Sequence, residues 1–103
     1  MLTKADVFKA VGGFSEELAV AYNDIDYCLK VRRQGKLVVY TPYAIAYHYE
    51  SQSRGYEDTP EKRARYDNEA EILKSRWRHI IEGGDPYYNP NLSLDKDDFS
   101  LKV

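Results

Sequence analysis

Apolar residues in the first third of the chain recur with helical spacing in two places. Within 4–11 they fall on one face, and Gly12-Gly13 follows, so the pattern predicts a short helix that ends at the glycines. The stretch 23–34 begins with acidic side chains, ends with basic ones and is followed by Gly35. Charges in this order complement the helix dipole, and glycine is typical of a helix end, so a second helix is predicted there.

Two short apolar segments come next. Residues 36–41 are rich in Val and Leu and stop at Pro42, and residues 44–49 read AIAYHY, with His48 near the end. Both are typical of strands. The polar, glycine-containing segment 50–58 that follows is predicted to be a loop.

A long helix is predicted in the last part of the chain. Thr59 is a suitable N-cap, Pro60 suits the first turn, and Gly83-Gly84 would end the helix. The tail, 85–103, has no period and is predicted to be an extended arm on a surface. The helix carries a narrow apolar stripe with steps of four and three, formed by Tyr66, Ala70, Leu73, Trp77 and Ile80.

The predicted fold is therefore α/β: helices packed on a short two-stranded sheet, with a long C-terminal helix and an extended tail. Two strands alone make a marginal sheet, which suggests a partial fold that adds to a larger sheet. The chain has 103 residues, room for one small core. We divide it into 1–58, with the candidate chemistry, and 59–103, the helical extension and arm.

Composition excludes several classes of protein. With 15 basic against 17 acidic residues there is no basic field for a phosphate backbone, so nucleic-acid binding is excluded as the main task. The single cysteine excludes an internal disulfide and a cysteine-based zinc site. No apolar stretch approaches the roughly 20 residues that span a bilayer, so no transmembrane segment is expected.

Four groups of residues are candidates for chemistry, and each has a structural alternative. Asn23, Asp24 and Asp26 either cap the second helix or present a carboxylate that takes a proton from a hydroxyl. His48 is either a half-buried structural histidine or a ligand-facing side chain at a strand end. Arg54 could bind a phosphate or lie in solvent. The ten tyrosines suit sugar stacking and strand packing equally.

The segment 12–53 resembles the second half of the catalytic domain of bacterial family 2 glycosyltransferases, which are inverting enzymes of the GT-A fold. The ordered features are Gly-Gly-Phe, an acidic motif that opens a helix, a glycine after that helix, a strand, a proline and a histidine. In this chain they run GGFSEELAVAYNDIDYCLKVRRQGKLVVYTPYAIAYHYES. The later stretch from residue 53 resembles the C-terminal extension of a bacterial subset of these enzymes.

The resemblance implies a role for each candidate. Asp24 matches the general base that deprotonates the acceptor hydroxyl, and Asp26 matches a second acid that orients the helix start or binds the acceptor. His48 matches a ligand of the divalent metal (Mn or Mg) on the sugar-nucleotide diphosphate. Arg54 lies where basic residues approach the diphosphate. Asn23 replaces the usual Glu or Asp and can still bind the acceptor through its amide.

The resemblance also implies that this chain is a C-terminal fragment of the transferase. The partner that this fragment needs is expected to be the missing N-terminal, nucleotide-binding half of the same domain, so the fragment alone should neither bind metal tightly nor transfer sugar. The intact enzyme should bind a nucleotide-diphosphate sugar and a saccharide acceptor, in the cytoplasm or at the inner face of the membrane. The alternative is a non-catalytic interaction module that forms a homodimer through 66–80.

Overall fold

This computed structural model describes residues 1–49 and 58–103. The regular secondary structure in these residues is helical. The helices are α1 (Ala5–Ala10), α2 (Asn23–Arg33), α3 (Pro60–Arg76) and α4 (Arg78–Glu82).

The end of α1 requires a glycine. The Gly13 N–H donates to the carbonyl of Phe8 at 2.9 Å, which closes the helix end. Gly13 has a φ of +68°, and a Cβ there would lie 2.9 Å from the Phe8 ring. The absence of a side chain lets that ring pack against Phe14 and Tyr27, with ring centroids 5.5 and 5.7 Å away.

The predicted start of α3 is confirmed, whereas its predicted length is not. The Thr59 hydroxyl accepts the backbone N–H of Lys62 at 3.2 Å, and Pro60 occupies the first helical position. The helix ends at Arg76, because Trp77 has non-helical angles of φ −114° and ψ 24°. At this break the Trp77 indole enters the interior, where it is 1% exposed.

A small core joins α3 to the loop before α2. Its buried members are Leu18, Leu73 and Trp77, and Leu29 of α2 packs against them. Residues from both predicted segments, 1–58 and 59–103, therefore share one apolar cluster.

The predicted two-stranded sheet is wrong. In the described parts of the chain, residues 36–41 and 44–49 form no ladder, and all their side chains are exposed. An α/β, GT-A-like arrangement of helices on a sheet is therefore not supported. Alternation of apolar residues makes a segment competent for a strand, but a strand forms only where a neighbour accepts its backbone hydrogen bonds.

The tail folds back on itself instead of running as one extended arm. Leu92 and Leu101 form an isolated antiparallel bridge. The N–H of Ser93 donates to the carbonyl of Ser100 at 2.7 Å, and the Lys102 N–H donates to the carbonyl of Asn91 at 2.8 Å.

Candidate functional site

The Asp26 carboxylate is the centre of a buried polar network. It is 0% exposed. One oxygen, Oδ2, accepts the Ser15 hydroxyl at 2.6 Å and lies 3.5 Å from the Lys30 ammonium. The other, Oδ1, accepts the Trp77 indole N–H at 2.7 Å and the Arg76 guanidinium at 3.1 Å. These contacts tie the start of α2 to the end of α3.

The partners of Asp26 keep it ionised. Burial by itself raises the pKa of this carboxyl group, but hydrogen bonds from Ser15, Trp77 and Arg76, together with the Arg76 charge, outweigh burial and lower the pKa below its usual range. All four contacting groups belong to this chain, so Asp26 orients the helix start. Its contact with an acceptor remains a prediction.

Arg76 extends the network towards the surface. Its guanidinium also hydrogen-bonds the Ser15 hydroxyl at 2.8 Å and pairs with Glu17. On the other side of the network, the Arg33 guanidinium lies 5.0 Å from the centre of the Trp77 ring, in cation–π geometry. The network therefore has a charged rim around an enclosed carboxylate.

Asp24 lies on the opposite side of the helix. Two residues along an α-helix correspond to a rotation of about 200°, so the side chains of Asp24 and Asp26 diverge. Asp24 is exposed, and its Oδ1 accepts the backbone N–H of Ile25 at 2.9 Å. Asn23, the first residue of α2, is half-buried. The first turn thus presents one carboxylate to solvent and encloses the other.

Two side chains of α3, Glu69 and Tyr66, hold the turn before Asp24, and the residue pattern did not predict these contacts. The carboxylate of Glu69, which is 2% exposed, accepts the backbone N–H of Val20 at 3.2 Å and that of Ala21 at 2.7 Å. The Tyr22 hydroxyl donates to the Tyr66 hydroxyl at 2.5 Å. Both contacts join α3 to the entry of α2.

A sequence signal for these residues existed in the apolar stripe. Glu69 lies three residues after Tyr66 and four before Leu73, so it shares their face of the helix. Arg76 lies three residues after Leu73 and shares that face as well. A charged residue on an inward helix face indicates a buried polar contact, although its partner cannot be read from the pattern.

A different part of the chain carries the predicted metal ligand, His48. His48 is exposed, in the segment 44–49 that lacks regular structure. Among residues 1–49 and 58–103, no three histidine, cysteine, aspartate or glutamate side chains are grouped so that they could hold a metal ion. The described residues therefore do not complete a metal site around His48. Arg54 lies outside the described residues.

An apolar groove adjoins the first turn of α2. It has a volume of about 610 Å³ and lies between Ile25 and Leu29 of α2 and Ile80 and Ile81 of α4. Ile25, which follows Asp24 in sequence, lines the groove at the first turn of α2. None of the four helices is long and apolar enough to cross a membrane.

Two known proteins are similar to nearly the whole of this chain. It is 54% identical over 102 residues to "Uncharacterized protein y4gI" of Sinorhizobium fredii (strain NBRC 101917 / NGR234), an alignment that covers 98% of this chain and 11% of that protein. It is 32% identical over 103 residues to "O-antigen biosynthesis protein RfbC" of Myxococcus xanthus, covering 99% of this chain and 8% of that protein.

The chain thus spans about a tenth of the length of these relatives. No family model matches it, and no solved structure matches it. Both alignments extend beyond the motif-bearing segment 12–53, so the C-terminal helices and tail are part of the shared unit.

Proposed function

We propose that this chain is the acceptor-side part of an inverting family 2 glycosyltransferase that acts in polysaccharide biosynthesis, with Asp24 as its general base. Two observations support the proposal. The motif in 12–53 resembles that family, and one protein similar over 99% of the chain is named for O-antigen biosynthesis. The nucleotide-binding half and the donor sugar would belong to the rest of the protein.

The observation that carries the proposal is the division between the two acids of the first turn of α2. Asp26 is enclosed and saturated with hydrogen bonds, whereas Asp24, in the same turn, is exposed to solvent. A general base must come within hydrogen-bond distance of the hydroxyl that it deprotonates. The exposed Asp24 carboxylate is open to such an approach, whereas Asp26 is occupied by groups of the chain itself.

The proposed reaction at this site is a single displacement. Asp24 accepts the proton of the acceptor hydroxyl while the hydroxyl oxygen bonds to the anomeric carbon, and the bond to the nucleoside diphosphate breaks. Asn23 would orient the acceptor through its side-chain amide. A divalent metal held partly by His48 would stabilise charge on the diphosphate when bound. Further ligands, and the contact proposed for Arg54, would lie outside the described residues.

The test is substitution of Asp24 by Asn in the intact protein that carries this chain. Nucleoside diphosphate release from a panel of uridine and thymidine diphosphate sugars measures turnover. We expect turnover to fall by about 10² to 10⁴, the usual contribution of a positioned base. Turnover close to that of the wild type would overturn the assignment of Asp24.

Asp6→Asn is the matched control. Asp6 is also exposed and is the second residue of its helix, α1, and its Oδ1 accepts the next backbone N–H at 3.0 Å. This variant removes the same helix-terminal charge without removing the proposed base, so it should retain turnover.

The alternative, a homodimer through 66–80, is less well supported. Leu73 and Trp77, two members of the apolar stripe, are buried against Leu18 of the same chain. A third, Tyr66, contacts Tyr22, with ring centroids 5.2 Å apart. Because the chain itself covers much of the stripe, the geometry favours packing within the chain over pairing with a second copy.

A further inference from the structure

The backbone that leads to Asp24 is fixed from outside its own helix. Within residues 1–49 and 58–103, the hydrogen bond of the Asp24 side chain is local, from the N–H of Ile25, so its position follows that of the backbone. Two groups of α3 contact this segment: the Glu69 carboxylate accepts backbone N–H groups of residues 20 and 21, and the Tyr66 hydroxyl accepts the side-chain hydroxyl of Tyr22. Neither group takes part in the proposed displacement.

Glu69 is an unusual choice for a buried position. Burying a carboxylate costs free energy unless hydrogen bonds replace its hydration. Here each oxygen receives one backbone N–H, from Val20 and Ala21. Charge-assisted bonds to two consecutive amides fix the position and the orientation of that peptide, which a single bond would not do.

Tyr22 adds a second constraint. Its φ of +62° lies in the left-handed region, which is strained for a non-glycine residue and persists only where the surroundings enforce it. Its carbonyl accepts the N–H of Asp26 at 3.0 Å, the first bond of α2. The left-handed turn therefore sets the direction in which α2, and with it Asp24, leaves the loop. The hydroxyl bond to Tyr66 holds the Tyr22 ring in place.

We propose that Glu69 and Tyr66 are positioning residues for the general base: through residues 20–22 they set where the Asp24 carboxylate meets the acceptor. This inference rests on the proposed function and deepens it, because it assigns to α3 a part in the reaction. A base displaced by about 1 Å loses a large part of its effect, so loss of either contact lowers turnover without altering the proposed chemical groups.

The test is the turnover of two variants in the intact protein. Glu69→Gln keeps the size of the side chain but presents an NH₂ group to one of the two backbone amides, so one bond is lost. Tyr66→Phe removes only the hydroxyl. We expect kcat to fall by about tenfold to a hundredfold for Glu69→Gln and by less for Tyr66→Phe. The KM for the nucleotide sugar should stay within about twofold, because donor contacts are unchanged.

Glu71→Gln is the control on the same helix. Glu71 is exposed, lies two residues from Glu69 and pairs with Lys74 at 3.3 Å. It should leave both kcat and KM unchanged. All assays are run well below each variant's melting temperature, so that loss of folded protein does not lower kcat.

A second measurement tests the two hydrogen bonds from the backbone to Glu69 without any assay of turnover. Hydrogen exchange at the amides of Val20 and Ala21 should be faster in Glu69→Gln than in the wild type, while the amides in the middle of α3 keep their rates. Unchanged exchange at these two amides would overturn the positioning role.

The kinetic outcomes separate the two proposals. Normal turnover in the wild type and in Glu69→Gln overturns the positioning role alone. A loss that appears only as a raised donor KM also overturns it, because it indicates a binding effect. Absence of sugar transfer by the intact wild-type protein, with every donor tested, overturns the proposed function and the positioning role with it.

Discussion

The indole N–H of Trp77 donates to the Asp26 carboxylate at 2.7 Å, across 51 residues of the chain. This bond joins the break between α3 and α4 to the first turn of α2. Because the Trp77 ring also belongs to the apolar core, one side chain links the polar network to the hydrophobic cluster. The stability of the chain should therefore depend strongly on the charge state and identity of residue 26.

Asp26→Asn should destabilise the chain by about 3 kcal/mol. The amide removes the charge opposite Arg76 and places an NH₂ group among donors. The value lies at the low end for a broken ion pair because the Arg76 side chain is 28% exposed and can be partly hydrated. Chemical denaturation measures the change. Asp24→Asn, an exposed neighbour on the same turn, should change stability by less than about 0.5 kcal/mol.

The stability provided by Asp26 should be lost in acid. Its pKa is lowered in the folded state, so the unfolded chain takes up the proton first as the pH falls. The contribution is complete above the usual aspartate pKa of about 4 and declines as the pH falls below that value towards the lowered one. Denaturation curves of the wild type and of Asp26→Asn at neutral and acidic pH test this. A stability difference that stays constant with pH would contradict the prediction.

Tyr22 should make the chain sensitive to alkali. Burial, and then the hydrogen bond to Tyr66, raise the pKa of the Tyr22 phenol to about 12. A raised pKa stabilises the fold below the usual tyrosine value of about 10, and this stability is lost as the pH rises towards 12. In Tyr66→Phe the Tyr22 pKa should be lower than in the wild type. It should stay above the usual tyrosine value, because the burial of Tyr22 remains. NMR titration of labelled tyrosine rings, assigned with Tyr22→Phe, measures both values.

Gly13→Ala should destabilise the chain more than Gly35→Ala. Both glycines have a left-handed φ, of +68° and +77°, so both substitutions carry a backbone cost of about 1 kcal/mol. Only at Gly13 would the new Cβ also meet a ring, that of Phe8 at 2.9 Å, whereas no atom lies within 4 Å at Gly35. Comparison of the two unfolding free energies isolates the cost of the clash. Equal losses would show that the Phe8 ring moves away freely.

The helix ends are the part of the fold that could be predicted from sequence. The Thr59 cap, Pro60 and the glycines after α1 and α2 act through bonds and backbone angles within a few residues of themselves. Local chemistry of this kind is complete in the sequence. The break at Trp77 could not be predicted, because it accompanies an indole bond to a carboxylate in a distant part of the chain.

The predicted sheet was wrong because a strand depends on a partner that local sequence does not supply. The apolar segments 36–41 and 44–49 have suitable residues for strands, but in the described structure neither forms a ladder with a neighbouring backbone. A helix satisfies its backbone within one segment, whereas a strand depends on another segment. The residue pattern therefore predicts helices more securely than sheets.

By itself, the sequence determined where α3 begins and placed acids in the first turn of α2, because the Thr59 cap, Pro60 and helical periodicity act locally. Only the tertiary structure decided which acid is enclosed and which is open. Asp24 and Asp26 are alike as residues and differ by their surroundings, which Ser15, Arg76 and Trp77 supply from other elements. The reason is physical: burial and hydrogen bonding, which distinguish the two carboxylates, are properties of residues that meet only when the chain folds.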